Sequence, residues 1–373
     1  MSAYGQIGIT EAQIDTLSVA ESFCREKSPM DIVRSLMETK LGYDEAVWKE
    51  MGALGWLAVA IPEEFGGVGL SLTEVTPLAE QLGRYMLSTP FTPTTIASQA
   101  LISGATHRQK SEALPLIAQG QAATLALSEQ NGDWDLTNIK TRAVKHRDGY
   151  LLDGTKTFVM DIPSAKWVII SAKLEGDMAL FCVPSSDISS DYIRRETVID
   201  ETKRSYELTM DALLVSPDTL MDMDKAQATL THIHLVANLL SAAELTGGCQ
   251  SCISYTVEYL KTRKQFGKLI GSYQALKHPT VDAFVDYQKS RSLLYAAAFS
   301  FDKQGEGEIA TRMAKAHADK AMSFAADRSI QFHGGFGFTY ECDAQLYRRR
   351  AIFNASQYGD ARYHKGKLAE LLL

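Results

Sequence analysis

The sequence predicts an α+β chain: a helical N-terminal domain, a middle antiparallel β-barrel or sandwich domain, and a C-terminal four-helix bundle. The expected boundaries are 1–122, 123–222 and 223–373. Three observations carry this. Apolar residues recur at helical spacing up to about residue 120. From Ala123 the pattern turns to short, alternating, β-rich runs. From about residue 226 helical spacing returns in long segments with short connections. A chain of 373 residues is long enough to bury two or three cores.

The first helix is expected in TEAQIDTLSVAESFCRE, which opens on Thr10 as a cap, and the next in YDEAVWKEMGALGW and SLTEVTPLAEQLGRYM. Between the last two, IPEEFGGVGLS is a Pro/Gly loop. Strands are expected in ATLALS, NIKTRAVKHRDGYLLDGTKTFVM, KWVIISAK, MALFCVP and YELTMDALLV. Asp148-Gly149 and Asp153-Gly154 are read as turns. The later helices are expected over 226–263, 272–303, 307–331, 341–357 and 360–372.

Bulk properties exclude several classes. The net charge of −7 disfavours a nucleic-acid or anionic-membrane binder, so an anionic ligand would need a local basic site. Five scattered cysteines do not make a disulfide scaffold and point to a reducing compartment, read as the cytoplasm. Cys249 and Cys252 form a CxxC without a second pair or a βαβ context, and read as small core residues. Glu11, Asp15 and Glu21 argue against a transit peptide. The polar residues within 226–257 argue for a buried helix and against membrane insertion. No metal motif, Walker loop, GxGxxG after a strand or GxSxG is present in the sequence.

One carboxylate is out of place. Glu244 is the only formally charged residue between Ala226 and Val257. A buried carboxylate needs a partner, takes up a proton, or is used. Two further segments are unusual. In YLKTRKQFGKLIGSYQALKH, Arg263 ends a helix ahead of a Gly-containing turn, where a guanidinium and free amides suit a phosphate. A helix C-terminus with favourable basic residues is the plainer reading. In QFHGGFGFTYECDAQLYRRR, Gly334, Gly335 and Gly337 let main chain approach a neighbour closely. Arg348–Arg350 reads as ion pairs before it reads as an anion site, and His333 as a packed or cofactor-side polar group.

Together, on this architecture, these stretches resemble the acyl-CoA dehydrogenase family of flavoenzymes over nearly the whole chain. RKQFGKLIGSYQALKH is the strongest match; MGALGWLAVAIPEEFGGVGLS, ALSEQNGDWDLTNIKTRA and DGYLLDGTKTFVM support it. The resemblance implies FAD, an acyl-CoA substrate, an electron-transfer flavoprotein as acceptor, and a homo- or hetero-oligomer built as a dimer of dimers. It implies that Arg263 and Gln265, with Phe266 beside them, meet the FAD pyrophosphate, and that Gln331 and Gly335 meet the adenosine side. Gln274 is carried over with the same motif. Ser128 and Phe158 match positions at the flavin ring. The family's Gly-Ser-Asp loop is NGDWD here, and a hydroxyl residue two after the aromatic is Met160.

The resemblance also implies a base that takes the α-proton opposite the flavin. One family position falls on Tyr358, whose ordinary pKa of about 10 suits a base poorly. The other falls on Ala237. Ala237, Ser241 and Glu244 share one helix face, with Glu244 about two turns along, roughly 10 Å. Glu244 is therefore the candidate catalytic base, and pairing with an Arg or capping a helix is the alternative. The implied function is α,β-dehydrogenation of an acyl-CoA, of a bulky or steroid side-chain class in a divergent bacterial subgroup. The alternative is a catalytically silent FAD-contacting subunit of an α2β2 heteromer.

Overall fold

The computed structural model describes residues 10–373. They divide into two compact units: one is the chain up to Arg34 with Leu72–Leu87 and Asn238–Leu373, the other is Ser35–Ser71 with Ser88–Ala237.

The helical unit holds α1 (Glu11–Lys27), the start of α2 (Met30–Met37), α4 (Leu72–Arg84), most of α7 (Ala226–Thr262), α8 (Gln274–Ser300), α9 (Glu306–His333), α10 (Asp343–Ser356) and α11 (Ala361–Leu372). Helix α1 starts where the sequence places it. Thr10 accepts from Gln13 N while the Gln13 side chain returns to Thr10 N, so two orphan donors are satisfied at once. Helix α7 runs 37 residues without a break. Its segment near Glu244 crosses α4 with almost no gap. A Cβ on Gly83 would overlap the main chain of Glu244, and a Cβ on Gly247 would overlap the carbonyl of Glu80. Above this crossing Glu80 is buried and fully engaged: Arg291 Nε donates to Oε1 at 2.8 Å and Tyr295 Oη to Oε2 at 2.5 Å.

The second unit holds α3 (Glu45–Ala53), α5 (Phe91–Gly104), α6 (His107–Ala118) and strands β1 (Ala122–Ala126), β2 (Arg142–His146), β3 (Gly149–Met160), β4 (Ala165–Leu174), β5 (Asp177–Pro184), β6 (Ile193–Arg195) and β7 (Ser205–Val215). They form one seven-stranded sheet in the order β1-β4-β2-β3-β7-β6, with β5 also on β4. The sheet is mixed, which corrects the antiparallel expectation: β1 and β2 both pair with β4 in parallel. Alternation tells which face a side chain takes but not the direction of the neighbouring strand. The chain turns between β2 and β3 where Asp148-Gly149 is read as a turn: Arg147 and Asp148 form its tip and Gly149 opens β3. Asp153-Gly154 does not turn the chain. It sits within β3 as a bulge, with Gly154 at φ +143 and its missing Cβ leaving room for Thr141.

The sheet encloses a buried ion pair. Lys156 Nζ donates to Glu129 Oε1 at 2.8 Å and to Ser171 Oγ at 2.9 Å. Glu129 also accepts from Thr141 N and Oγ1 and from Lys140 N. Burial pushes its carboxyl upward, but Lys156 and the Thr141 donors outweigh that and hold it below the ordinary range. Lys156→Met strands this carboxylate, so we expect a loss of about 3–5 kcal/mol in urea unfolding followed by circular dichroism. A midpoint shift worth under about 1 kcal/mol would show that the pair is dispensable. No helix among the described residues is long and apolar enough to cross a membrane.

Candidate functional site

In the helical unit the chain leaves α7 through a small hairpin, β8 (Lys264–Gln265) against β9 (Lys268–Leu269), and enters α8. The two residues at its tip, Phe266 and Gly267, both have positive φ, +54 and +76. A two-residue hairpin turn needs that geometry, and a phenylalanine adopts it at a cost. The Phe266 ring is 90% exposed. A strained backbone presenting a bare aromatic ring has no explanation in the packing of this chain.

The hairpin forms one wall of a groove of about 740 Å³. Tyr259, Arg263, Gln265, Phe266 and Tyr273 line it on one side, and Gln331, His333, Gly334, Gly335 and Phe336 on the other. No carboxylate lines it. Arg263 makes no ion pair among the described residues. His333 forms the floor, stacked on Tyr259 with centroids 4.1 Å apart and on Tyr255 at 4.8 Å. Its Nδ1 bonds to Ser329 O at 2.7 Å, while Nε2 is buried without a partner. Burial holds this imidazole below its usual pKa, so it is neutral at pH 7. A Cβ on Gly335 would meet nothing within 4 Å. A guanidinium, the Gln265 and Gln331 carboxamides and a ring-lined floor are the donor set for an anion joined to a flat heterocycle. An FAD pyrophosphate and adenosine fit that set. The structure thus brings Arg263, Gln265, Phe266, Gln331 and Gly335 to one groove; Gln274, at the start of α8, lies exposed outside its lining.

In the sheet unit, Phe158 has φ +54 and stands 43% exposed, with its amide held by Glu196 Oε2 at 3.0 Å. The neighbouring Thr157 N donates to Ser128 O at 2.9 Å, so the two positions matched to the flavin ring are tied together. Among the described residues seven non-glycines have positive φ, and three of them are Phe158, Phe266 and Tyr358, each singled out from the sequence. The loop carrying NGDWD closes on itself: Asp133 accepts from Asp135 N and from the Asn138 amide, and Asp135 from Thr137.

Glu244 is buried, 5% exposed, and its Oε2 accepts from Asn354 Nδ2 of α10 at 3.4 Å. Ala237 and Ser241 are buried along the same face, and the Ser241 hydroxyl has no protein partner. Burial pushes the Tyr358 phenol up to about 12, so it stays protonated at neutral pH. The other candidate features are structural. Burial raises the Cys249 thiol well above its ordinary value and Cys252 to about 12, which makes both inert. Arg348 pairs with Asp327 at 2.7 Å and Arg349 lies over the Tyr340 ring at 4.9 Å, while Arg350 is buried.

Comparison with known proteins decides the family. The acyl-CoA dehydrogenase N-terminal domain model matches residues 10–121, and the C-terminal domain model matches 235–372. Acyl-CoA dehydrogenase IpdE2 of Mycobacterium tuberculosis is 31% identical over 347 residues, 91% of each chain. The chain belongs to the acyl-CoA dehydrogenase family. IpdE2 of Mycolicibacterium smegmatis is 29% identical over 350 residues, covering 92% of this chain and 93% of its own. A variant of the Tcur3481-Tcur3483 steroid ACAD has a TM-score of 0.86 at 26% identity, covering 97% of this chain and 98% of that one.

As an acyl-CoA dehydrogenase the protein is an FAD-dependent oxidoreductase. The sequence pointed to the hairpin and the glycine turn. It gave no weight to Tyr255, Tyr259 and Asn354, because aromatic residues and amides at helical spacing read as core until their neighbours are seen.

Proposed function

We propose that this acyl-CoA dehydrogenase removes hydrogen from the α and β carbons of a bulky acyl-CoA of the steroid side-chain class. It works in a dimer of dimers, in the cytoplasm, and passes electrons to an electron-transfer flavoprotein. FAD, when bound, takes the hydride that leaves the β-carbon with its electron pair. Glu244 takes the α-proton and becomes the acid as the carbon–carbon double bond forms. The observation that carries this is the buried face of α7. It holds a carboxylate with an amide donor from Asn354 and an unpartnered hydroxyl at Ser241, while the Tyr358 phenol stays protonated at neutral pH.

Arg263, Gln265, Gln331 and Gly335 would hold the pyrophosphate and adenosine, Phe266 would cover them, and Ser128 and Phe158 would meet the flavin ring. Arg263→Gln is expected to weaken FAD binding about 10- to 100-fold, the worth of one charge-assisted contact. Titrating apoprotein with FAD checks this, and unchanged affinity removes Arg263 from the site. The substrate class is tested by mixing holoprotein with butyryl-, octanoyl- and a steroid side-chain CoA ester and following flavin bleaching. The steroid ester is expected to bleach fastest; bleaching by butyryl-CoA alone overturns the class.

Ala237 and Tyr358 support a second reading, in which the chain is the base-lacking half of an unlike pair. The similar steroid ACAD is itself named as two chains. Flavin-free or insoluble protein that recovers on co-expression with a second dehydrogenase chain supports this reading. Stable yellow protein from the single chain, bleached by a CoA ester, refutes it.

A further inference from the structure

Behind Asn354 lies a charged pair that the proposed chemistry does not use. Lys315 of α9 is 0% exposed, and its Nζ donates to Asp319 Oδ1 at 2.8 Å and Oδ2 at 2.9 Å. The same ammonium reaches two main-chain carbonyls, Asn354 O at 3.2 Å and Gly359 O at 3.1 Å. These carbonyls bracket the turn from α10 to α11. Asn354 O is one of the last carbonyls of α10, where a cation is favoured, and it also accepts from Gln357 N at 3.2 Å. Within the bracket, Tyr358 and Gly359 both have positive φ, +56 and +108. A side chain at Gly359 would strike Tyr363 and His364, so the position admits only glycine.

A buried ion pair is seldom the most stabilising filling for a helical interior. Buried alanines at 314, 316 and 318 flank this one, so apolar side chains have room in the same layer. What the pair supplies is direction: an ammonium with Asp319 as its counter-ion, aimed at both ends of one turn. One of those ends carries the carboxamide that donates to Glu244.

We propose that Lys315 is a positioning residue: clamped by Asp319, it fixes both ends of the Asn354–Gly359 turn and so sets the Asn354 amide against Glu244. The proposal rests on the reading of Glu244 as proton acceptor. Asn354 is the relay, since its main chain takes the Lys315 bond and its side chain gives the Glu244 bond.

The test uses the FAD-loaded protein. Lys315→Met strands Asp319 and invites misfolding, so the pair is replaced together as Lys315→Met/Asp319→Leu, which leaves no buried charge. Hydrogen exchange of the amides at 357–360 is expected to speed about tenfold or more. Flavin bleaching by the best CoA ester of the panel is expected to slow about tenfold at saturation, with its dissociation constant unchanged. Asn354→Leu should slow bleaching equally, and adding the Lys315/Asp319 replacements to it should cost nothing further. Unchanged exchange, or effects that multiply in the combined variant, overturns the clamp. Full bleaching by Glu244→Gln overturns the reading of Glu244 instead, and the clamp then stands or falls on the exchange result.

Discussion

Gly247→Val is expected to destabilise the helical unit by about 3 kcal/mol. The reason is the crossing of α4 and α7, where EQLG (80–83) meets ELTG (244–247). Each glycine lies against the main chain of the other helix at its glutamate. At Gly247 an added Cβ would overlap Glu80 O and come within 2.8 Å of Arg84 N; at Gly83 it would overlap the main chain of Glu244. Main-chain atoms inside helices cannot step aside as a side-chain tip can. The adjacent Gly248→Ala is the control. Its Cβ would meet only the Met322 thioether at 3.3 Å and otherwise Gly83 O at 3.6 Å, so a loss under about 1 kcal/mol is expected. Urea unfolding of holoprotein, read by far-UV circular dichroism, compares the two. Equal midpoints for Gly247→Val and wild type would mean that the helices are free to separate there. The crossing also bears on function, because it fixes where the α7 main chain at Glu244 lies.

The helices named from the sequence were legible to within a few residues, since caps and apolar spacing are local, whereas α2, α5 and α6 were read only as part of a helical region. Thr10 closes its capping box with Gln13, and the expected segment 307–331 is α9 (Glu306–His333). The strands other than the short β6 were legible as strands, but their partners were not. β1 pairs with β4 across some forty residues, and nothing local in either strand encodes the partner's direction. Asp153-Gly154 carries the composition of a turn, yet the register of β3 against β7 absorbs it as a bulge. In the groove, Arg263, Gln265 and Phe266 were picked out because RKQFGKLIGSYQALKH resembles a motif of the family. Lys315 and Asp319 were not. At i and i+4 on a helix they look like any solvent-exposed pair. Only their burial against the carbonyls of Asn354 and Gly359 separates them from the exposed pair Arg108–Glu112.

Glu244→Gln is expected to slow flavin bleaching about 10²- to 10⁴-fold, the usual worth of a positioned acid–base group. Glutamine keeps the shape of the side chain, and its amide oxygen still accepts from Asn354 Nδ2, so FAD content and the thermal midpoint should hold. What it cannot do is take a proton. If Glu244 merely ties α7 to α10 through Asn354, turnover stays within about threefold, well under 1 kcal/mol of barrier. Tyr358→Phe supplies the complementary measurement. With its phenol pushed up to about 12, Tyr358 is protonated at neutral pH, and removing the hydroxyl should leave bleaching within the same threefold range. A large loss in Tyr358→Phe beside a small one in Glu244→Gln would move the proton acceptor to the α10–α11 turn. Small losses in both would assign it to a partner subunit, because the only other position implied by the family is Ala237, which carries no base.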